Sequence, residues 1–101
     1  MNIEDHLKFK EGKPAVLTVR KTDQLTLLAI GLMKDQVLKK HKTAVPATLI
    51  VVKGAILFGL GGEKIPLTAH DVFQIPVNEI HHVKGMDSKN IFILLKENNT
   101  N

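Results

Sequence analysis

His41–Gly54, HKTAVPATLIVVKG, and its echo Pro76–His81, PVNEIH, decide how the rest of the chain reads. The first stretch sets a histidine at the head of a long apolar run broken by Pro46. Val, Ile and Thr suit a half-buried pleated surface, and proline is tolerated in a sheet only at an edge, a start or a bulge. The second stretch sets another histidine just past a proline–asparagine turn. Together they predict a small β-barrel with two histidines brought into one interior. Ala47–Val52 is apolar on both parities, so its outer face is expected to be covered as well as its inner one. In so short a chain the expected cover is a second copy, in a symmetric homodimer.

Outward from that stretch, the remaining segments also read as short strands. Ala55–Leu60 and Glu63–Leu67 flank Gly61-Gly62, a two-residue hairpin signal. Val72–Ile75, Ile80–Lys84 and Ile91–Lys96 follow, the last two joined by the polar turn Gly85–Asn90. Upstream lie Ala15–Arg20, Leu25–Met33 and Val37–Lys42, with Asp35 in a turn at a position that tolerates positive φ. Residues 1–13 fit an edge strand or a docked arm, and no segment reads as a helix. Short strands with a turn every eight to twelve residues describe an all-β sandwich or barrel. The chain divides into an N-terminal arm and edge strand over 1–24, packing on the barrel or on a dimer partner, a barrel over 25–96, and a disordered tail over 97–101.

Composition narrows the function classes. The 101 residues include thirteen lysines and a single arginine, with net charge +4, no Trp, no Tyr and no Cys. Absence of cysteine removes disulfides, thiolate metal sites and a cysteine nucleophile. Nucleic-acid readers rely on arginine forks or aromatic platforms, and these lysines are spread along the whole chain, so a solvated surface is the reading and no nucleic acid is expected. No apolar run approaches the ~20 residues of a membrane helix, and MNIEDHLKFKEGK has no apolar signal core. A cytoplasmic protein with no membrane partner is the expectation, which makes the sequon Asn98-Asn99-Thr100 a coincidence. There is no GxSxG elbow, phosphate loop or HExxH motif.

The spacing of both stretches resembles that of the cupin superfamily. The first cupin motif (Gly, five residues, His-x-His, three or four residues, Glu, six residues, Gly) falls on Asp35, His41, Thr43, Ala47 and Gly54. The second (Gly, five residues, Pro-x-Gly, two residues, His, three residues, Asn) falls on His70, Pro76, Asn78, His81 and Gly85. The resemblance covers roughly residues 25–96 and implies a single-domain double-stranded β-helix, the cupin jelly-roll barrel. It also implies a metal held by three histidines and a glutamate, of which this chain keeps His41 and His81. Two imidazoles are an incomplete set, because a catalytic divalent metal takes about three protein ligands. A divalent Zn, Ni, Mn or Fe bound weakly at His41 and His81 is the most the resemblance supports.

His41 and His81 are therefore either satisfied interior histidines in a polar network or contacts to a ligand or metal. Thr43 offers a hydroxyl to His41 or to a ligand. His82 points away from His81 by strand alternation, towards the rim or surface. His70 and His6 are read as bystanders, and Met33, Phe58, Phe73 and Phe92 as packing. Three function classes follow. The first is a module binding a small molecule in the barrel against His41, Thr43 and His81. The second is a metal-dependent enzyme of the dioxygenase or isomerase type, and the third a regulatory or sensing partner without catalysis of its own.

Overall fold

The computed structural model describes residues 1–98. The chain forms α1 (Ile3–His6) and nine strands: β1 (Ala15–Lys21), β2 (Leu25–Met33), β3 (Val37–His41), β4 (Ala47–Lys53), β5 (Ala55–Leu60), β6 (Glu63–Thr68), β7 (Val72–Ile75), β8 (His81–Gly85) and β9 (Lys89–Glu97). A five-stranded sheet has the order β1-β2-β9-β4-β7, and a four-stranded sheet faces it with the order β3-β8-β5-β6. All pairings are antiparallel. From β2 to β9 the chain crosses between the sheets at every connection except the β5–β6 hairpin, which is the connectivity of an eight-stranded jelly roll. The expected all-β barrel is what forms.

Period-two alternation explains the core. On β4, Ala47, Leu49 and Val51 point inward and are buried, whereas Thr48, Ile50 and Val52 lie on the other face. Ile56 and Phe58 of β5, Val83 of β8, Ile30 and Leu32 of β2, and Phe92 and Leu94 of β9 complete one apolar cluster between the sheets. Each such side chain contributes about 1.5–3 kcal/mol on burial, so the interface between the sheets holds the barrel closed. The hairpin turn at Gly61 and Gly62 has φ of 56° and 84°, a pair of left-handed residues that only glycine adopts freely, as a type I′ turn requires.

Two expectations are corrected, and one of two alternatives for the arm is seen. First, residues 3–6 are helical: Asn2 caps α1 by accepting a hydrogen bond from Asp5 N (3.2 Å), and Leu7 N donates to Ile3 O. One turn carries no apolar periodicity, so only the cap could have marked it. Second, the arm covers part of the outer face of the five-stranded sheet. Leu7, Ile3 and Phe9 pack with Ala15, Leu17, Val19, Ala29, Ile91 and Ile93 in a second apolar cluster. Ala29 of β2 and Ile91 of β9, on the outward face, are thus buried with Leu7 of the chain's own N-terminus, while Val52 and Val72 stay 42% and 58% exposed. Third, residues 97 and 98 are ordered, where a disordered tail was expected. Glu97 is in β9, and Asn98 is tied to the β1–β2 turn through its N–H to Gln24 O and its Nδ2 to Thr22 O (both 2.8 Å). The remainder of the expected tail, and with it most of the sequon, lies outside the described residues. Among the described residues, no helix is long and apolar enough to cross a membrane.

Candidate functional site

His41 ends β3, His81 begins β8, and the two are direct register partners. A bulge between Leu38 and His41 shifts the register, so that Leu38 opposite Val83 and His41 opposite His81 both face the barrel interior. The imidazole centroids are 4.3 Å apart with the rings edge-on at 63°. Phe58, opposite Val83 and one residue before Gly59, stacks on His81 at 5.3 Å and 16°, and lies 4.8 Å from Phe73. Residues read as packing thus form the wall that orients the second histidine.

Backbone carbonyls fix both tautomers. His41 Nδ1 is 2.8 Å from Lys39 O, and His81 Nδ1 is 3.1 Å from Glu79 O. A carbonyl oxygen only accepts, so each Nδ1 carries a proton and donates, and in a neutral ring Nε2 then keeps a free lone pair. No buried side-chain nitrogen or oxygen among the described residues lacks a partner, so His81 Nε2, which has none, reaches solvent although the residue is only 2% exposed. Burial holds the His81 pKa below its ordinary 6.5, and the nearby His41 and His82 lower it further against the opposing pull of the Glu79 carbonyl. At neutral pH the His81 imidazole is therefore uncharged.

Thr43 does not join the pair through its hydroxyl proton. It sits in the loop after β3, where Oγ1 donates to Val45 O (3.0 Å) while its carbonyl accepts from Asn78 N (2.8 Å). His6 Nδ1 binds Asn2 O at the end of α1, and His70 occupies a turn. His82 lies on the outer face of the four-stranded sheet, away from His81 as alternation requires.

The metal the resemblance implies does not fit the residues present. Two free Nε2 atoms are suitable donors, and their carbonyl-bound Nδ1 atoms are the usual second-shell arrangement. A third donor is missing: the remaining ligand positions are Thr43, with its hydroxyl engaged locally, and Ala47, which has no donor. No group of three His, Asp or Glu side chains able to hold a metal occurs among the described residues. The pair is a hydrogen-bonding site without the carboxylate or third imidazole of a catalytic metal centre.

Sequence reasoning missed Asn90, which is fully buried. Its Oδ1 accepts from Ala55 N (2.9 Å) and Asp87 N (3.1 Å), and its Nδ2 donates to Leu32 O and Asp87 O (both 3.0 Å). In the sequence it closes a polar run, Met86–Asn90, and nothing there separates it from a turn residue.

Backbone conformation verifies the motif register independently. The four positions where the cupin motifs carry a glycine are Asp35, Gly54, His70 and Asn78, and their φ values are 67°, 77°, 81° and 63°. Asp35, His70 and Asn78 are also the non-glycine residues of positive φ found among the described residues. At three of the four, a residue other than glycine holds the left-handed turn.

Topology, motif register and the inward histidine pair define a double-stranded β-helix of the cupin type, in one small domain. Solved structures agree on the fold. A cupin superfamily protein from Desulfitobacterium hafniense DCB-2 is similar with TM-score 0.87 at 12% identity, over 98% of this chain and 90% of that one. KdgF from a Halomonas species matches with TM-score 0.82 at 23% identity over 98% and 93%. A Klebsiella pneumoniae protein with a double-stranded β-helix domain matches with TM-score 0.88 at 16% identity over 96% and 87%. No family model and no curated protein matches the sequence.

Proposed function

We propose that the barrel binds a small uncharged organic molecule carrying adjacent hydrogen-bond donors, hydroxyl or amide, at His41 and His81. One observation carries this reading: two imidazoles 4.3 Å apart have Nδ1 committed to backbone carbonyls and Nε2 uncommitted. The His81 pKa is lowered, so its ring is neutral at neutral pH; its Nε2 accepts and cannot donate, which favours donors over anions there. Thr43 Oγ1 keeps a lone pair for the same ligand once its proton is given to Val45 O. The absence of a third metal donor argues for this binding module over the metal-dependent enzyme. A weakly held divalent cation on the two imidazoles remains the lesser use of the same atoms.

The reading includes a homodimer. Val52 and Val72, exposed on β4 and β7, and half-buried Ile50 give the outer face of the five-stranded sheet an apolar surface that a second copy would bury. Sedimentation equilibrium should give twice the chain mass, and a monomer at micromolar concentration would remove this part.

The binding claim is tested by melting temperature against a panel of small polyols and amides. A compound that raises it in the wild-type protein and not in His41→Ala or His81→Phe supports the claim. No rise from any compound, or a rise that survives both changes, contradicts it.

A further inference from the structure

The outer face of the four-stranded sheet carries a groove of about 530 Å³, within the range of small-molecule sites. Register lays out its floor. Gly59 pairs with His82 on one side and with Lys64 on the other. In β3, Leu38 pairs with Val83 and His41 with His81, so the bulge sets Lys39 and Lys40 opposite the single residue His82. Lys40, His82, Gly59 and Lys64 therefore form one row across the four strands, and all four line the groove. His81, Leu60 and Glu63 have the other parity and belong to the inner face.

Gly59 shapes the middle of the row. A Cβ built there would fall on the Cε1–Nε2 edge of the His82 ring. The imidazole of β8 thus lies over the backbone of β5, with that edge directed towards β6 and Lys64. Histidine ring hydrogen bonds among the described residues are made by His6, His41 and His81, and His82 makes none.

The row carries positive charge without negative charge. Neither Lys40 nor Lys64 is in an ion pair; those formed among the described residues are Lys53–Glu4 and Lys84–Asp35. Of the acidic residues at the margin of the groove, Glu63 starts from the inner face, and Glu79 lies three residues before His82 in the loop that precedes β8. At about 4.8 Å per strand spacing, the backbones of Lys40 and Lys64 stand about 14 Å apart, and the His82 ring occupies part of that span. Lysine is a flexible point-charge donor, suited to an oxyanion approached from two sides. A tetrahedral oxyanion offers oxygens in three directions, and the charge of a phosphate monoester, about −1.5 to −2, matches two ammonium groups. A carboxylate offers two oxygens in one plane and a single charge. Ile80, 59% exposed at the loop side of the groove, gives an organic substituent an apolar contact.

We propose that this row is an anion site, for phosphate or a small phosphate monoester. The phosphoryl group lies over Gly59 against the edge of the His82 ring, with Lys40 and Lys64 closing on it from β3 and β6.

The test follows amide shifts in ¹H–¹⁵N spectra of the full chain at fixed ionic strength, titrated with phenyl phosphate, inorganic phosphate and benzoate. The expected result is saturable shifts at Gly59, His82 and Lys64 with both phosphates, and binding of benzoate at least about fivefold weaker. Tighter binding of phenyl phosphate than of inorganic phosphate assigns the site to the ester, and equal binding assigns it to the free ion. Lys40→Gln/Lys64→Gln should weaken phenyl phosphate by about tenfold, the loss of two exposed charge contacts. His82→Phe keeps a flat ring over Gly59 and removes its N–H, and should weaken it by about threefold. His81→Phe, on the opposite face of β8, should leave it unchanged. Unaltered spectra away from the groove verify that the variants fold. No saturable shift at millimolar phenyl phosphate would overturn the proposal. So would benzoate binding as tightly, affinity unchanged in either groove variant, or a loss in His81→Phe as large as in the lysine variant.

Discussion

Two polar side chains are buried among the described residues, His81 and Asn90, and they stand at opposite ends of β8. Asn90 packs beside Gly85, at the end of the strand, with each oxygen and each nitrogen position hydrogen-bonded. His81, at the start, has one ring nitrogen bonded and the other open. A buried polar group with every bond made is a structural staple, tying the β4–β5 connection, the end of β2 and the β8–β9 turn together. One whose free acceptor reaches solvent keeps that atom hydrated, and a donor group on a ligand can take the place of the water. The contrast separates the closed end of the barrel from the end where an acceptor stays open.

The comparison predicts that the two residues fail in different ways. Asn90→Ala should cost most stability, about 2–3 kcal/mol by urea unfolding, because Leu32 O and Ala55 N lose their partner inside the barrel; ligand response should survive. A loss under half a kilocalorie would show that Asn90 is no staple. Acidification should show the next largest effect. The folded His81 pKa lies below its ordinary 6.5. The unfolded chain therefore takes up the proton first, and stability falls as pH drops from 6.5 towards the folded value. Above 6.5 this contribution is constant. Denaturation midpoints of the wild type and of His81→Phe between pH 5 and 8 check the assignment: the variant should lose much of the acid sensitivity, and equal slopes would refute it.

His81→Phe at neutral pH should change stability by less than about 1.5 kcal/mol, since an apolar ring of similar shape replaces a neutral one stacked on Phe58. Ligand-induced stabilisation should disappear with it. The smallest effect belongs to His82→Ala, within about 0.5 kcal/mol on an outer face. A large loss there would erase the distinction between the two faces of the sheet.

Strand positions were legible because alternation and turn residues acted locally: the Gly61–Gly62 hairpin and the Asp35 turn stand where they were expected. Motif spacing carried the rest of the fold, including His41 opposite His81. Three of the four motif-glycine positions hold other residues, but the spacing records backbone turns, and Asp35, His70 and Asn78 adopt them with positive φ. What stayed hidden depends on contacts distant in sequence. The arm's docking needs Leu7 against Gly31 and Ile91, and the outer groove needs the register of three strand pairs. Asn90 needs partners from β2 and β5. At the site itself, the pairing was readable but the tautomers were not, because they are set by the carbonyls of Lys39 and Glu79 rather than by any side chain.

The account rests on the protonation of two imidazoles, and long-range ¹H–¹⁵N correlation of the histidine rings at neutral pH tests it most directly. The expected spectrum has a proton on Nδ1 of both His41 and His81, Nε2 of His81 unprotonated, and His81 protonating only below pH 6.5. A bare Nδ1 on either residue, or an imidazolium at His81 at neutral pH, would contradict the assignment of His81 Nε2 as an open acceptor.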